Sequence, residues 1–170
     1  SQLILRDLDI LRKLAENRLV NVSISVTTLD ESLRLKLEPR TTTGANRLKT
    51  VKRLSEAGIS VNIMMAPIIP SINDKEIFDI AEKTSIAGAK SFHYTIVRMN
   101  GDVGDIFRDW LSKTFPDKYD RVIHQIESCH GGKVNDSRFG TRMSGEGNIA
   151  SMIKQQVGLA REKFFTERII

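Results

Sequence analysis

The residues best suited to contact a ligand are polar side chains inside segments that otherwise resemble buried strands. Ser23 and Ser25 alternate with β-branched residues, and Asn62, His93 and Thr95 interrupt two further apolar runs. Such groups need hydrogen-bond partners when they are buried. Two interpretations stay open for each of them. The side chain either forms a cross-strand hydrogen bond inside a parallel sheet, or it contacts a ligand near the ends of the strands.

Arginines in loops are a second set of candidates, because a guanidinium can hold a carboxylate or phosphate through two parallel hydrogen bonds. Arg40 follows Pro39 in a loop expected near the end of the strand that carries Ser23 and Ser25. Arg98 directly follows the strand segment that carries His93 and Thr95. Arg40 has an alternative partner in Glu38 or Glu31. Both interpretations of Arg40, a ligand contact and an internal ion pair, are retained.

A further pair of arginines, Arg138 and Arg142, stands in a polar, glycine-containing stretch over 133–147 that lacks hydrophobic periodicity. This composition indicates a loop and not a core segment.

Metal binding and nucleophilic catalysis have little support. Cys129 is the one cysteine of the chain, so it can form neither an internal disulfide nor a multi-cysteine metal site within these residues. His124 and His130 flank it without the spacing of a metal-ligand set, so no metal site is predicted. A single cysteine also fits a reducing compartment, and a cytoplasmic location is expected.

Three strands must position these side chains, and the sequence predicts them at 20–26, 59–66 and 91–97. Residues 20–26 alternate apolar with polar residues, and 59–66 is almost continuously apolar, as in a strand covered on both faces. Helices separate the strands, which favours parallel pairing. The fold class is therefore α/β, either a small open sheet or part of a larger barrel.

Helix boundaries follow from capping residues. Asp7 is expected to cap a helix over 7–17, Thr28 with Glu31 predicts a helix over about 31–37, and Asn73 with Glu76 predicts another helix start. Gly58 should end a helix over 45–57, because glycine readily adopts the left-handed backbone conformation.

The chain is expected to divide into a strand-containing region, 1–100, and a helical extension, 101–170, packed on it. One helix of the extension should present a single apolar face. The members of that face are Val103, Ile106, Phe107, Trp110 and Leu111. Another helix is expected over 148–168.

Composition excludes several classes. With 40% hydrophobic and 28% charged residues the chain is an ordinary globular sequence. No run approaches the roughly 18 apolar residues of a membrane span, and no membrane association is expected. The formal net charge of +5 is spread along the chain without a basic tail, so it supports only a mild attraction to nucleic acid.

Several motifs in order along the chain resemble one family, the radical S-adenosylmethionine proteins related to spore photoproduct lyase, often labelled DNA repair photolyase-like. The resemblance covers essentially all 170 residues. It is carried by Leu5-Arg6-Asp7-Leu8-Asp9, Ser25-Val26-Thr27-Thr28-Leu29-Asp30, Leu37-Glu38-Pro39-Arg40, Ala66-Pro67-Ile68-Ile69-Pro70-Ser71-Ile72-Asn73-Asp74 and Asp136-Ser137-Arg138-Phe139-Gly140-Thr141-Arg142-Met143.

The resemblance implies the C-terminal half of a (βα)6 partial barrel, with the strands at 20–26, 59–66 and 91–97 as the fourth to sixth. The family's Cys-x3-Cys-x2-Cys loop, which holds a [4Fe–4S] cluster, has no counterpart here. The complete protein is expected to bind S-adenosylmethionine and the cluster, and the missing N-terminal half barrel is an expected partner. This chain alone is expected to bind neither fully and to be inactive.

The resemblance also implies roles for individual residues. Ser23, Ser25, Asn62 and Arg40 match positions that contact the methionine and ribose ends of S-adenosylmethionine. Arg98 would lie near the adenine or the substrate. Arg138 and Arg142 would close over the site or meet an anionic substrate, and no catalytic residue is assigned.

Two functions of different classes stay open. The chain is either the cofactor-binding half of a lyase-like radical enzyme, with a nucleic acid as one candidate substrate, or a noncatalytic scaffold or nucleic-acid-binding domain. Self-association is also expected, because a half barrel would leave apolar inner positions such as Ile24, Ile63 and Met65 without partners.

Overall fold

A computed structural model describes residues 2–132 and 143–166 of the chain. The predicted ligand-contacting residues Arg138 and Arg142 lie outside the described residues. Among the helices of the described ranges, none combines the length and the apolar character that crossing a bilayer requires.

The described strands form one parallel sheet in the order β1-β2-β3. Strand β1 is Val22–Ser25, β2 is Val61–Ile68 and β3 is Ser91–Ile96. The predicted parallel pairing is confirmed: Ser23 lies opposite Asn62, and Asn62 lies opposite Ser91. Strand β2 begins two residues later than predicted, because the Ile59 N–H still bonds the Leu54 carbonyl at the end of the preceding helix (3.1 Å).

Seven α-helices accompany the strands in the described part of the chain. Helices α2 and α3 connect β1 to β2, α4 connects β2 to β3, and the other helices precede β1 or follow β3. Their bounds are Leu8–Glu16 (α1), Glu31–Leu37 (α2), Gly44–Glu56 (α3), Ile77–Ile86 (α4), Val103–Thr114 (α5), Tyr119–Cys129 (α6) and Gly147–Phe165 (α7). Short 3-10 turns cover Gln2–Asp7, Asp74–Glu76 and Pro116–Lys118.

The helix starts differ from the predicted capping residues. The Asp30 carboxylate caps α2 by accepting hydrogen bonds from the Ser32 and Leu33 N–H groups (2.8 and 3.2 Å), so the prediction of Thr28 as the cap is wrong. Asp7 precedes α1, but its side chain bonds Arg6 and caps nothing. The predicted end at Gly58 is confirmed by its positive φ of 77°.

The main core lies between the sheet and helices α3, α4 and α7. Ile24, Ile63 and Met65 are buried in this core, so they do not face an open inner surface and give no reason for self-association. The other face of the sheet carries the polar side chains of Ser23 and Asn62 among others. Self-association stays a prediction without that support.

A second core lies beyond the carboxyl ends of β2 and β3, where α5 and α6 pack on Ile69, Val97 and Met99. Helix α7 packs on the main core instead, and its Arg161 donates a hydrogen bond to the Phe92 carbonyl of β3 (2.6 Å). The helices after residue 100 therefore contact the strand-containing region at two places. The division into regions 1–100 and 101–170 stays a prediction.

Candidate ligand-binding site

Two neighbouring cavities open beside the sheet, and Glu38 lines both of them. The larger has a volume of about 720 Å³ and lies at the carboxyl edge of the sheet. Its floor comes from residues that end the strands or follow them directly, including Thr27, Ala66, Thr95 and Arg98. Ligands of parallel α/β folds bind at this edge, because the loops that vary between such proteins meet there.

One wall of the larger cavity is the apolar side of α5. This wall, which we call the α5 wall, consists of Val103, Ile106, Phe107 and Trp110. The Trp110 indole N–H donates to the Lys36 carbonyl (3.0 Å), and its ring lies 5.4 Å from that of Phe107. The wall is therefore a fixed aromatic surface, and it includes Ile106, which is 67% exposed.

The smaller cavity, about 500 Å³, lies beside β1. Ser23, Ser25 and Arg40 line it together. Three of the residues predicted to bind the cofactor thus share one cavity. Arg40 is exposed and forms no hydrogen bond or ion pair with any described residue. The alternative in which Arg40 pairs with Glu38 or Glu31 is wrong for the described structure, because other arginines occupy both carboxylates.

Glu38 is the acidic residue at the junction of the cavities. Its Oε2 pairs with Arg47 Nη2 at 2.7 Å, whereas its Oε1 is buried and has no hydrogen-bond partner among the described residues. Burial alone would raise the pKa of Glu38, but Arg47 and the hydroxyls of Thr27 and Thr41 outweigh it and lower that pKa below its ordinary value. Glu38 is therefore a carboxylate at neutral pH, held by Arg47.

Two buried arginines fix the loop that carries Arg40. Arg47 donates to the Ser25 carbonyl (2.7 Å) and the Thr41 hydroxyl (2.9 Å) besides Glu38. Arg34, paired with Glu31, donates to the Thr41 carbonyl (2.8 Å). The loop backbone is thus held against the end of β1.

Asn73 joins the loops that follow β1 and β2. It is fully buried and donates from one amide nitrogen to the carbonyls of Thr27 and Pro67, each at 3.0 Å. Its side-chain oxygen accepts the Ile69 N–H (2.7 Å). The bond to Thr27 spans 46 residues of sequence, and together the three bonds hold the floor of the larger cavity in place.

Glu76 reinforces the same junction. Its carboxylate accepts hydrogen bonds from the Thr28 hydroxyl and from the Leu29 N–H (2.8 Å). We call Asn73 and Glu76 with these partners the loop clamp. Their predicted role as a local helix cap is wrong, since neither side chain caps α4.

The remaining predicted residues lie apart from the smaller cavity. Asn62 is next to Ser23 across the sheet, but its Oδ1 accepts a hydrogen bond from the Ser91 hydroxyl (2.8 Å), as the cross-strand interpretation expected. Arg98 lines the larger cavity and forms no hydrogen bond or ion pair with any described residue. The structure therefore brings Ser23, Ser25 and Arg40 together and places Arg98 in the neighbouring cavity.

Sequence reasoning did not place Glu38, Asn73, Glu76 or the α5 wall at a ligand site. Glu38 was considered only as a partner for Arg40. The sequence carried no local signal for the clamp, because its hydrogen-bond partners are distant along the chain.

Comparison with known protein families gives a match over the first half of the chain. Residues 3–84 match the model of the radical SAM superfamily. This segment includes β1, β2, the smaller cavity and the loop clamp, and it ends before β3.

Three relatives show how much of a longer protein the chain spans. An uncharacterized protein of Methanocaldococcus jannaschii is 25% identical over 125 residues, which are 74% of this chain and 45% of that protein. One of Mycobacterium tuberculosis is 26% identical over 121 residues, 70% of this chain and 36% of that protein. One of Acidianus two-tailed virus is 34% identical over 70 residues, 41% of this chain and 23% of that protein. The chain spans less than half the length of each.

Proposed function

From the match of residues 3–84 to the radical SAM superfamily, we propose that this chain is the S-adenosylmethionine-binding part of a radical enzyme. The observation that carries the proposal is the smaller cavity, where Arg40, which has no partner among the described residues, lies beside the hydroxyl-bearing face of β1. When bound, S-adenosylmethionine would supply the group that abstracts a hydrogen atom from a substrate, and Arg40, Ser23 and Ser25 would hold its polar end.

The residues of the smaller cavity fit the polar end of S-adenosylmethionine. Arg40 bonds to no described residue, and its guanidinium is suited to the cofactor's carboxylate. The hydroxyls of Ser23 and Ser25 can donate or accept hydrogen bonds in the same cavity. In this proposal Arg47 positions Glu38 and holds the loop of Arg40 at β1.

The residues present do not fit the iron–sulfur cluster. Such a cluster needs several thiolates, and this chain has one cysteine. Cys129 is buried in α6, and burial raises the pKa of its thiol to about 11, so it is not a ready thiolate ligand. We propose that polypeptide outside these 170 residues holds the cluster.

Binding of S-adenosylmethionine by the complete protein, with its cluster reconstituted under anaerobic conditions, tests the proposal. We expect Arg40→Ala to raise the dissociation constant of S-adenosylmethionine about tenfold to a hundredfold. This is the change in affinity that the loss of one charge-assisted hydrogen bond produces. Arg40→Lys should restore only part of the affinity, because an ammonium lacks the two-pronged geometry.

The matched control is Arg53→Ala, which removes an exposed arginine from α3, outside both cavities. It should leave the dissociation constant unchanged. Equal affinities of the Arg40→Ala variant and the unaltered protein would overturn the assignment of Arg40.

We also propose the finer relationship to spore photoproduct lyase and a lyase reaction on DNA. The sequence motifs support it, together with the formal charge of +5. In a series of salt concentrations, the logarithm of the DNA association constant should then fall linearly with the logarithm of the salt concentration. A complete protein that binds S-adenosylmethionine but no DNA would contradict this finer proposal and leave the broader one standing.

A further inference from the structure

We propose that the larger cavity binds the organic substrate, and that this substrate is an aromatic anion whose ring packs on the α5 wall and whose negative group pairs with Arg98. The inference rests on the proposed function, since it assigns a substrate to that reaction. It adds a class of ligand and the residues that recognise it.

The size and lining of the cavity indicate a small organic molecule. A volume of about 720 Å³ lies within the range of roughly 300–1,000 Å³ found for small-molecule sites. Most of the lining is apolar, and the α5 wall presents the rings of Phe107 and Trp110. Such a surface favours a flat ring, which can stack on or meet the edges of these side chains.

The side chains of the α5 wall are held in place, which favours specific binding of one ligand over nonspecific apolar contacts. Trp110 is held by its hydrogen bond to the Lys36 carbonyl and by edge-on contact with Phe115, at 5.8 Å between ring centres. A wall that is ordered in advance costs less conformational entropy on binding.

The charged residues that line the larger cavity indicate that its ligand is negatively charged. Two charged side chains line the larger cavity among the described residues, Glu38 and Arg98. Glu38 is neutralised by Arg47 at 2.7 Å, whereas Arg98 has no partner in the described part of the chain. Among the described residues, the cavity therefore presents one positive charge without a carboxylate partner, next to an apolar wall.

The position of the cavity is consistent with a substrate beside the cofactor. Glu38 lines both cavities, so a molecule in the larger one lies next to a molecule in the smaller one. Hydrogen abstraction needs this adjacency of the two bound molecules.

The test uses two fluorescent probes with the same rings. 8-Anilinonaphthalene-1-sulfonate is an aromatic anion, and N-phenyl-1-naphthylamine is its neutral counterpart without the sulfonate. Each is titrated into the complete protein, and changes in folding are followed by circular dichroism. Arg98→Gln should weaken binding of the sulfonate about tenfold or more, and that of the neutral probe less than twofold.

Two further variants separate the ring contact from the charge. Ile106→Asp should weaken both probes, because it places a carboxylate on the α5 wall at an exposed position that the fold tolerates. Arg53→Gln, outside both cavities, should change neither. Equal loss of both probes in Arg98→Gln, or no loss of either, would overturn the proposal.

Saturating S-adenosylmethionine distinguishes this inference from the proposed function. We expect the sulfonate to bind with undiminished affinity in its presence. Competition between the two would show that the larger cavity belongs to the cofactor, and the inference would fail while the proposed function stood. Absence of any S-adenosylmethionine binding, with the probe results as expected, would instead refute the proposed function. The larger cavity would then remain a site for an aromatic anion, without its role as the substrate site of that reaction.

Discussion

The loop clamp and the two cavity arginines lie at the same edge of the sheet, but they differ in their partners. Asn73 is fully buried, and both ends of its amide are hydrogen-bonded. Arg40 and Arg98 face the cavities and bond to no described residue. The clamp therefore serves folding, and the two arginines are free to serve a ligand.

This difference follows from the cost of burying polar groups. A buried amide left without partners loses its hydration and gains nothing in return, so the fold must satisfy it. A guanidinium at the mouth of a cavity keeps its water until a ligand replaces it. Whether a polar residue near a site serves folding or ligand binding is therefore indicated by its hydrogen-bond partners and not by its residue type.

The largest expected effect comes from opening the clamp. Asn73→Ala leaves the carbonyls of Thr27 and Pro67 and the N–H of Ile69 unpaired, and it should lower the free energy of unfolding by about 2–4 kcal/mol. Urea denaturation measures the change. Asn62→Ala removes an amide whose one partner among the described residues is Ser91. It is the control and should cost less than about 1 kcal/mol. Equal losses in the two variants would contradict the role of the clamp.

A smaller effect concerns Glu38 and depends on pH. The pKa of Glu38 is lower in the folded protein than its ordinary value of 4.5, so ionised Glu38 stabilises the fold above that value. This stabilisation is lost as the pH falls through the depressed folded pKa. The unaltered protein should therefore lose stability more steeply than Glu38→Gln between neutral pH and about pH 3.

Thermal melting across this pH range checks the difference. Glu56→Gln, which removes a carboxylate from an exposed pair with Lys52 at 3.7 Å, is the matched control and should follow the unaltered protein. A Glu38→Gln variant that follows the same pH profile as the unaltered protein would show that the pair with Arg47 adds nothing to the fold.

The smallest expected effect on stability belongs to the free arginines. Arg40→Ala and Arg98→Ala should each change the free energy of unfolding by no more than about 0.5 kcal/mol. Arg47→Ala provides the contrast, because it leaves Glu38 unpaired and frees the Ser25 carbonyl, at a cost of about 3 kcal/mol or more. If Arg40→Ala or Arg98→Ala lowered the free energy of unfolding as much as Arg47→Ala, the distinction between structural and ligand-binding arginines would be wrong.

Local pattern was sufficient to predict the parallel strands and the two faces of β1. The alternation over 20–26 placed Val22 and Ile24 on one face and Ser23 and Ser25 on the other, and the structure buries the first pair and exposes the second. The same reasoning did not show which apolar residues of the sheet would be covered, because helices α3, α4 and α7, which cover them, pack on the sheet from outside the strands.

The sequence predictions that differ from the structure do so for two physical reasons. Asn73 and Glu76 have the types and spacing of a helix cap, and short-range pattern cannot reveal partners more than 40 residues away. Hydrophobic periodicity grouped Leu111 with Phe107 and Ile106, but only Leu111 is fully buried, while the other two face the cavity. Periodicity reports that a helix has an apolar face and not what that face contacts.

The strand order has a consequence for how the chain is made. Because β1 pairs with β2 and β2 with β3, β2 and β3 each find a neighbour in the described strand synthesised just before them. As the nascent chain leaves the ribosome, these three strands can pair one at a time without waiting for a distant segment. Helix α7 is synthesised after all three strands, and it packs across β3 and α4 on a sheet that can already have formed.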